Sequence, residues 1–309
     1  MDVTFLGTSG AVPTTQRNPS AILLRREGER FLFDVGEGTQ RQMMRFSTGF
    51  DVSIIFLTHL HGDHVLGLPG LLQTLDFNER TAPLDIYTPA GTSGDVENLL
   101  DATGTTPGFR VQVHDATPGK PIIERDEYTI RTVETDHRTR SVGYALVEAE
   151  RKGRFDRERA EDLGVPVGPK FQQLHEGSPV ELKDGTVVQP EEVVDDPRPG
   201  RRVVYTGDTR PTEPVVSVAS EADLLIHDAM FTQDRQQRAQ QTGHSTAQEA
   251  ATVASQAHVK RLALTHISSR YATDAEPLEN EAIERFGDNA FLPDDGDTIT
   301  IPYPESDDE

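Results

Sequence analysis

Residues 54–64 read Ile54-Ile55-Phe56-Leu57-Thr58-His59-Leu60-His61-Gly62-Asp63-His64, an apolar run that ends in three imidazoles and a carboxylate within six residues. The run suits a buried strand and its polar end the turn that leaves it. Imidazole nitrogen and carboxylate oxygen are donors that borderline divalent ions such as Zn²⁺ accept in four- or five-coordinate shells. One ion cannot easily take all four. Consecutive side chains on a turn after a strand diverge, so His59 and His61 are expected to face one ion while Asp63 and His64 reach a second. The spacing predicts two metals.

A catalytic ion needs about three protein ligands and an open position, so the remaining ligands should arrive singly at the ends of other strands. Three places offer them. Residues 128–133 alternate as a strand does and run into Asp136-His137; residues 202–206 run into Gly207-Asp208; residues 261–265 run into His266. With these residues the chain resembles the metallo-β-lactamase superfamily, in which a HxHxDH loop, a distant His, a bridging Asp and a last His hold two zinc ions. The resemblance implies an α+β fold, an αββα sandwich of two mixed sheets with helices outside. Residue by residue, it implies that His59, His61 and His137 hold one ion, that Asp63, His64 and His266 hold the other, and that Asp208 bridges both. His114, His175, His227 and His258 lie outside the pattern and are assigned no metal. Helices are expected over Thr39–Phe46, Leu66–Phe77, Ser245–Ala257 and Glu279–Phe286.

The superfamily hosts many chemistries, so other segments must decide the substrate. Residues 5–13 read Phe-Leu-Gly-Thr-Ser-Gly-Ala-Val-Pro, residues 33–42 Phe-Asp-Val-Gly-Glu-Gly-Thr-Gln-Arg-Gln, and residues 243–246 Gly-His-Ser-Thr. Residues 265–271 read Thr-His-Ile-Ser-Ser-Arg-Tyr, and residues 164–170 Gly-Val-Pro-Val-Gly-Pro-Lys. In combination these strings resemble the tRNase Z family. The resemblance implies a zinc-dependent phosphodiester hydrolase, with two Zn²⁺ per subunit and Mn²⁺ as the alternative. It would cut precursor tRNA after the discriminator nucleotide, leaving a 3′-hydroxyl on the tRNA and a 5′-phosphate on the trailer. It further implies Asp63 as general base as well as ligand, His244 as a catalytic histidine, and an acidic residue at Asp228 that could orient His244. Arg270 fits a phosphate contact or an ordinary surface ion pair equally well. The length matches the family's short form, a homodimer.

Residues about 150–200 carry many glycines, prolines and charges, and no sizeable apolar face is visible in them. They are expected to protrude from a single domain spanning residues 1–309. In the tRNase Z family such an arm grips the tRNA elbow; here Arg151, Lys152, Arg154, Arg157, Arg159 and Lys170 would supply phosphate contacts.

Net charge argues the other way at first sight: the formal charge is −22, whereas nucleic-acid binders usually show a basic footprint. The cations are 25 Arg and only 5 Lys, a composition that resembles proteins of salt-in halophiles. Near molar salt the Debye length falls to about 3 Å, so a locally basic surface can work on an acidic body. The absence of cysteine fits a reducing interior and excludes thiolate ligands. A soluble cytoplasmic protein without signal peptide or membrane span is expected, with an acidic tail over about 303–309. Two other classes stay open: a hydrolase of small esters, which needs no arm, and a non-catalytic RNA-binding scaffold, which intact ligands oppose.

Overall fold

In the computed structural model, which describes residues 1–102, 104 and 106–304, the apolar run becomes the short strand Ile54–Phe56 inside a seven-stranded sheet. The tail expected over about 303–309 lies outside the described residues except for Tyr303 and Pro304. Alternation along the run decides the layers. Ile54 and Phe56 join one apolar cluster, Ile55 and Leu57 another, and all four are buried. A strand apolar on both faces must be covered on both.

Its sheet runs Thr298–Thr300, Asp2–Gly7, Ala21–Arg26, Glu29–Phe33, Ile54–Phe56, Leu84–Pro89, Val111–Ala116. The second runs Ala290–Phe291, Leu262–Thr265, Leu224–Asp228, Arg202–Tyr205, Val142–Glu148, Tyr128–Glu134, Pro121–Glu124. Each mixes parallel and antiparallel pairs. Facing side chains of the two sheets form one core, in which Phe56 lies 5.1 Å from both Phe33 and Tyr144, centroid to centroid. On the far face of the first sheet pack the helices Thr39–Arg45, Leu68–Phe77 and Ser93–Asp101, through Met43, Leu71, Leu75 and Val96. On the far face of the second pack Glu213–Val218, Ala247–Gln256 and Glu276–Phe286, through Val215, Ala250, Ala254 and Leu278. This is the four-layered αββα sandwich.

Three helix boundaries differ from the sequence reading. The helix expected over Leu66–Phe77 starts two residues later, at Leu68, with Pro69, which has no N–H to give, in its first turn; a separate short helix, Gly62–Val65, precedes it and was not expected. That expected from Ser245 begins at Ala247, where Thr246 and Glu249 form a reciprocal capping box. The last starts earlier, at Glu276 ahead of Pro277.

Residues Glu148–Arg201 form a second compact unit with Tyr303 and Pro304. It holds the helices Arg157–Asp162 and Pro169–His175 and a two-stranded ribbon, Val180–Glu181 with Val187–Val188. The expectation that this segment lacks a sizeable apolar face is corrected. Ala160, Val165, Leu174, Val180, Val188 and Val193 are buried together, with Phe155 and Phe171 packed against them. Their irregular spacing follows turns and not a helix or strand period, which hid them from a reading by periodicity. The unit begins and ends on a buried ion pair in which Nε and Nη2 of Arg201 each lie 2.7 Å from an oxygen of Glu148.

Candidate metal centre

His59, His61, Asp63 and His64 leave the strand Ile54–Phe56 as expected, with Asp63 and His64 on the short helix Gly62–Val65. His137 follows Tyr128–Glu134, Asp208 follows Arg202–Tyr205, and His266 follows Leu262–Thr265. All seven side chains converge. One group, with ligand atoms within 4.8 Å of one another, holds His59, His61, His137 and Asp208; another holds Asp63, His64 and His266.

The two oxygens of Asp208 divide between these groups. Oδ2 lies 3.4 Å from His59 Nε2 and 3.8 Å from His137 Nε2, while Oδ1 lies 3.3 Å from both His64 Nε2 and His266 Nε2. His64 Nε2 and Asp208 Oδ1 are buried yet make no hydrogen bond, despite that separation. Orphaned buried polar atoms are costly, and here they point at each other across the space a cation would occupy. The residues therefore fit a divalent metal. Electrostatics agrees. Burial lowers the affinity of His59 and His61 for a proton, keeping these imidazoles in the neutral form that ligates. Burial opposes charge on His266 too, but Asp208 and Asp63 outweigh it and push its pKa up to about 9. The carboxylates thus demand positive charge at this point, which bound cations would satisfy.

Surrounding groups fix the rings. His137 Nδ1 donates to the Gly243 carbonyl at 2.8 Å, which turns Nε2 toward Asp208. His64 Nδ1 lies 2.8 Å from Asp34 Oδ2, and the same carboxylate accepts from Thr58 N at 2.7 Å and Tyr205 Oη at 2.9 Å. Asp34 is fully buried, and the sequence reading missed it, although it stands in the quoted string 33–42. Asp34 and His266 both hold left-handed backbone, with φ of 57° and 62°. Such conformations persist where packing over-determines them. Gly207, at φ 60°, has Thr58 atoms 2.6 Å from where a Cβ would stand, so only glycine brings Asp208 this close to the His59 loop.

Asp63 Oδ2 accepts from Ala11 N at 2.7 Å and lies 3.1 Å from His266 Nε2; Oδ1 has no partner among the described residues. His244 Nδ1 lies 2.9 Å from Asp228 Oδ2, the orienting contact that the sequence suggested, and Nε2 is left unpartnered among the described residues. Asp228 is fully buried and also accepts from Thr209 N and Met230 N, both at 3.1 Å. Asp228 and His244 could form a further cation group with Asp208 and His266. Their hydrogen bond to each other instead marks them as an oriented pair. Another contact was not foreseen: Arg210 Nη1 donates to the His244 carbonyl, and its guanidinium pairs with Glu249 at 2.5 Å and 2.7 Å. The Thr246–Glu249 capping signal was legible; its tie to Arg210 was not.

Beside the cluster opens a cleft of ≈ 820 Å³, whose walls include His61, His244, Arg138, Arg238 and Arg270. A smaller apolar groove of ≈ 330 Å³ around Leu72 and Phe109 contains none of the cluster. His227 is buried, its Nδ1 donating to the Asp228 carbonyl, and among the described residues no cation group includes it, His114, His175 or His258. In the inserted unit, Arg157 pairs with Glu161, Lys170 donates to the Glu181 carbonyl, and Arg151 lies 3.9 Å from the Tyr303 ring. Residues 148–201 are not basic as a whole, with nine Lys and Arg against thirteen Asp and Glu; the cations concentrate in 151–159.

The sequence profile of the metallo-β-lactamase superfamily matches residues 14–266. Ribonuclease Z of Natronomonas pharaonis is 66% identical over 303 residues, 98% of each chain, and that of Halobacterium salinarum 62% identical over 307 residues, 99% of each. The crystal structure of human tRNase Z, short form, superposes with a TM-score of 0.71 at 30% identity, covering 98% of this chain and all of that one. A cluster of this composition on this fold, together with identity of this extent over the full length, shows that the chain belongs to the ribonuclease Z family of the metallo-β-lactamase superfamily.

Proposed function

We propose that this protein is a tRNA 3′-processing endoribonuclease that cuts precursor tRNA after the discriminator nucleotide, leaving a 3′-hydroxyl on the tRNA and a 5′-phosphate on the trailer. One observation carries the reading. A buried carboxylate, Asp208, turns each oxygen to a separate set of imidazoles, and a His–Asp pair stands beside it at the edge of a cleft. His59, His61, His137 and Asp208 would hold one ion, and Asp63, His64, His266 and Asp208 the other, two Zn²⁺ per subunit with Mn²⁺ as the alternative. When bound, such ions supply Lewis acidity for phosphoryl oxygens and lower the pKa of water.

Hydrolysis joins a water oxygen to phosphorus and breaks the P–O3′ bond. Two proton movements follow, and the chain offers a group for each. Asp63 Oδ1, unpartnered while Oδ2 is held by Ala11 N–H, takes the proton of the attacking water. The leaving O3′ takes one from His244 Nε2. Asp228 fixes that ring, and Arg210 with Glu249 anchors its backbone. Arg270, on the cleft wall, would contact the scissile phosphate.

Residues about 150–200 would be the arm that binds the tRNA elbow, through Lys152, Arg154 and Arg159 more than through Arg151, Arg157 and Lys170, whose partners lie within the chain. A homodimer acting in the cytoplasm completes the proposal; among the described residues no helix is long and apolar enough to cross a membrane. The acidic composition and the salt-loving relatives lead us to expect activity at molar KCl. The test is cleavage of end-labelled precursor tRNA in high KCl by wild type and Asp63→Ala, mapped to single nucleotides. A cut after the discriminator that vanishes in the variant supports the reading. Intact RNA with wild type, despite bound metal, would sink it.

A further inference from the structure

We infer that Arg138 and Arg238 bind the sugar-phosphate backbone on the tRNA side of the cut, so that the cleft grips the product tRNA and not the trailer. The inference rests on the reading of His244 as donor to the leaving O3′. The chain has 52 Asp and Glu among 309 residues, yet the cleft beside the metal centre has none on its walls and carries three arginines. No hydrogen bond or ion pair engages the guanidinium of Arg138 or Arg238 among the described residues. Three other arginines show the alternative, a partner within the chain: Arg210 pairs with Glu249, Arg17 with Asp294, and Arg140 donates to the Gly91 carbonyl. Three arginines on one wall offer guanidinium donors that suit an anionic backbone.

Position says which phosphates. Arg138 follows His137, and its Cγ lies 3.0 Å from where a Cβ on Gly243 would stand, so its stem runs along the residue before His244. Arg238 sits on the helix Gln236–Thr242, which ends at that same Gly243. Both cations are therefore rooted beside His244. The nucleotide whose O3′ receives the proton from His244 is the last of the tRNA, and the phosphates beyond it belong to the acceptor 3′ strand. Arginine suits this task in high salt. Its planar fork makes two directed hydrogen bonds to a phosphate, and these persist where the Debye length of about 3 Å has weakened simple attraction.

The test measures binding of the two products to holoenzyme by fluorescence anisotropy from about 0.5 to about 2 M KCl, over which the Debye length falls from about 4 Å to about 2 Å. The probes are a tRNA ending in the discriminator 3′-hydroxyl and a 5′-phosphorylated trailer oligonucleotide. Each of Arg138→Gln and Arg238→Gln should raise the Kd for the tRNA about three- to tenfold. Each should lower the slope of log Kd against log salt by about 0.7. The trailer Kd should move less than about twofold, and the Lys variants should restore the slope but only part of the affinity. Metal content and Tm show whether each variant folds, and Arg238→Gln, on an exposed helix face, serves if Arg138→Gln, next to His137, does not. Unchanged tRNA affinity in a metal-replete variant, or an equal loss for the trailer, overturns the inference. Failure of the underlying reading looks different, because His244→Ala would then cleave precursor tRNA at an unchanged rate or lose its metal.

Discussion

The metal centre and the inserted unit Glu148–Arg201 are built by opposite means. At the centre, seven side chains come from the ends of buried strands, and hydrogen bonds to Asp34, Asp228 and the Gly243 carbonyl lock the rings of His64, His244 and His137. The inserted unit rests on six buried apolar side chains and a two-stranded ribbon of two residues each, and most of its charges face water. Chemistry on one phosphorus needs donors held to fractions of an ångström, which strand ladders and buried polar contacts provide. Holding a backbone by charge tolerates looser placement, since phosphate contacts position without reading sequence.

The contrast is broken hardest at Asp208. Asp208→Ala should remove metal from both groups and lower single-turnover cleavage by about 10³-fold or more, with metal content read by elemental analysis. A variant retaining two ions would contradict the shared-ligand geometry. Next, His244→Ala should keep its metal and lose about 10²- to 10⁴-fold in kcat. Loss of metal together with rate would make His244 a ligand and not a proton donor.

Asp34→Asn tests whether the surrounding contacts are as specific as the ligands. An amide cannot accept from Thr58, His64 and Tyr205 as a carboxylate does, so metal affinity should fall about 10- to 100-fold in chelator competition. In the inserted unit, by contrast, Arg154→Gln with Arg159→Gln should cost only about three- to tenfold in kcat/KM on precursor tRNA, chiefly through KM. A collapse of kcat there would erase the distinction between the regions.

The smallest effect concerns acid. Burial raises the Glu249 carboxyl, but hydrogen bonds from Arg210 and from Thr246 N–H outweigh it and leave its pKa lowered. A carboxylate depressed on folding contributes stability that is full above its unfolded pKa of about 4.3 and is lost as pH falls below it. Wild-type Tm should therefore drop more steeply than that of Glu249→Gln below about pH 4.5, while Glu249→Gln is the less stable at pH 7. Parallel Tm curves would remove the pair from the account.

The sequence made the centre legible because its core is local: His59, His61, Asp63 and His64 lie on one strand end. His137, Asp208 and His266 were legible as single polar residues ending apolar runs, and their roles came from the family pattern. Asp34 was not, since its work lies in contacts with Thr58, 24 residues away, and Tyr205, 171 residues away. Arg210 was hidden for the same reason, its partners being 34 and 39 residues distant. In the fold, buried residues alternating over 54–57 mark a strand covered on both faces, whereas the helix start at Leu68 was placed two residues early although Pro69 signals a first turn. The core of the inserted unit has no period to detect.

The closing pair Glu148–Arg201 has a further meaning. It directly follows the antiparallel partners Val147 and Arg202, so the whole segment is topologically the loop of a hairpin. Loop closure grows only with the logarithm of length, about 0.6 kcal/mol for each doubling. Such a junction allows what lies between its two ends to be lengthened, shortened or exchanged while the sheet keeps its register, so the insertion is a module separable from the strands that carry it.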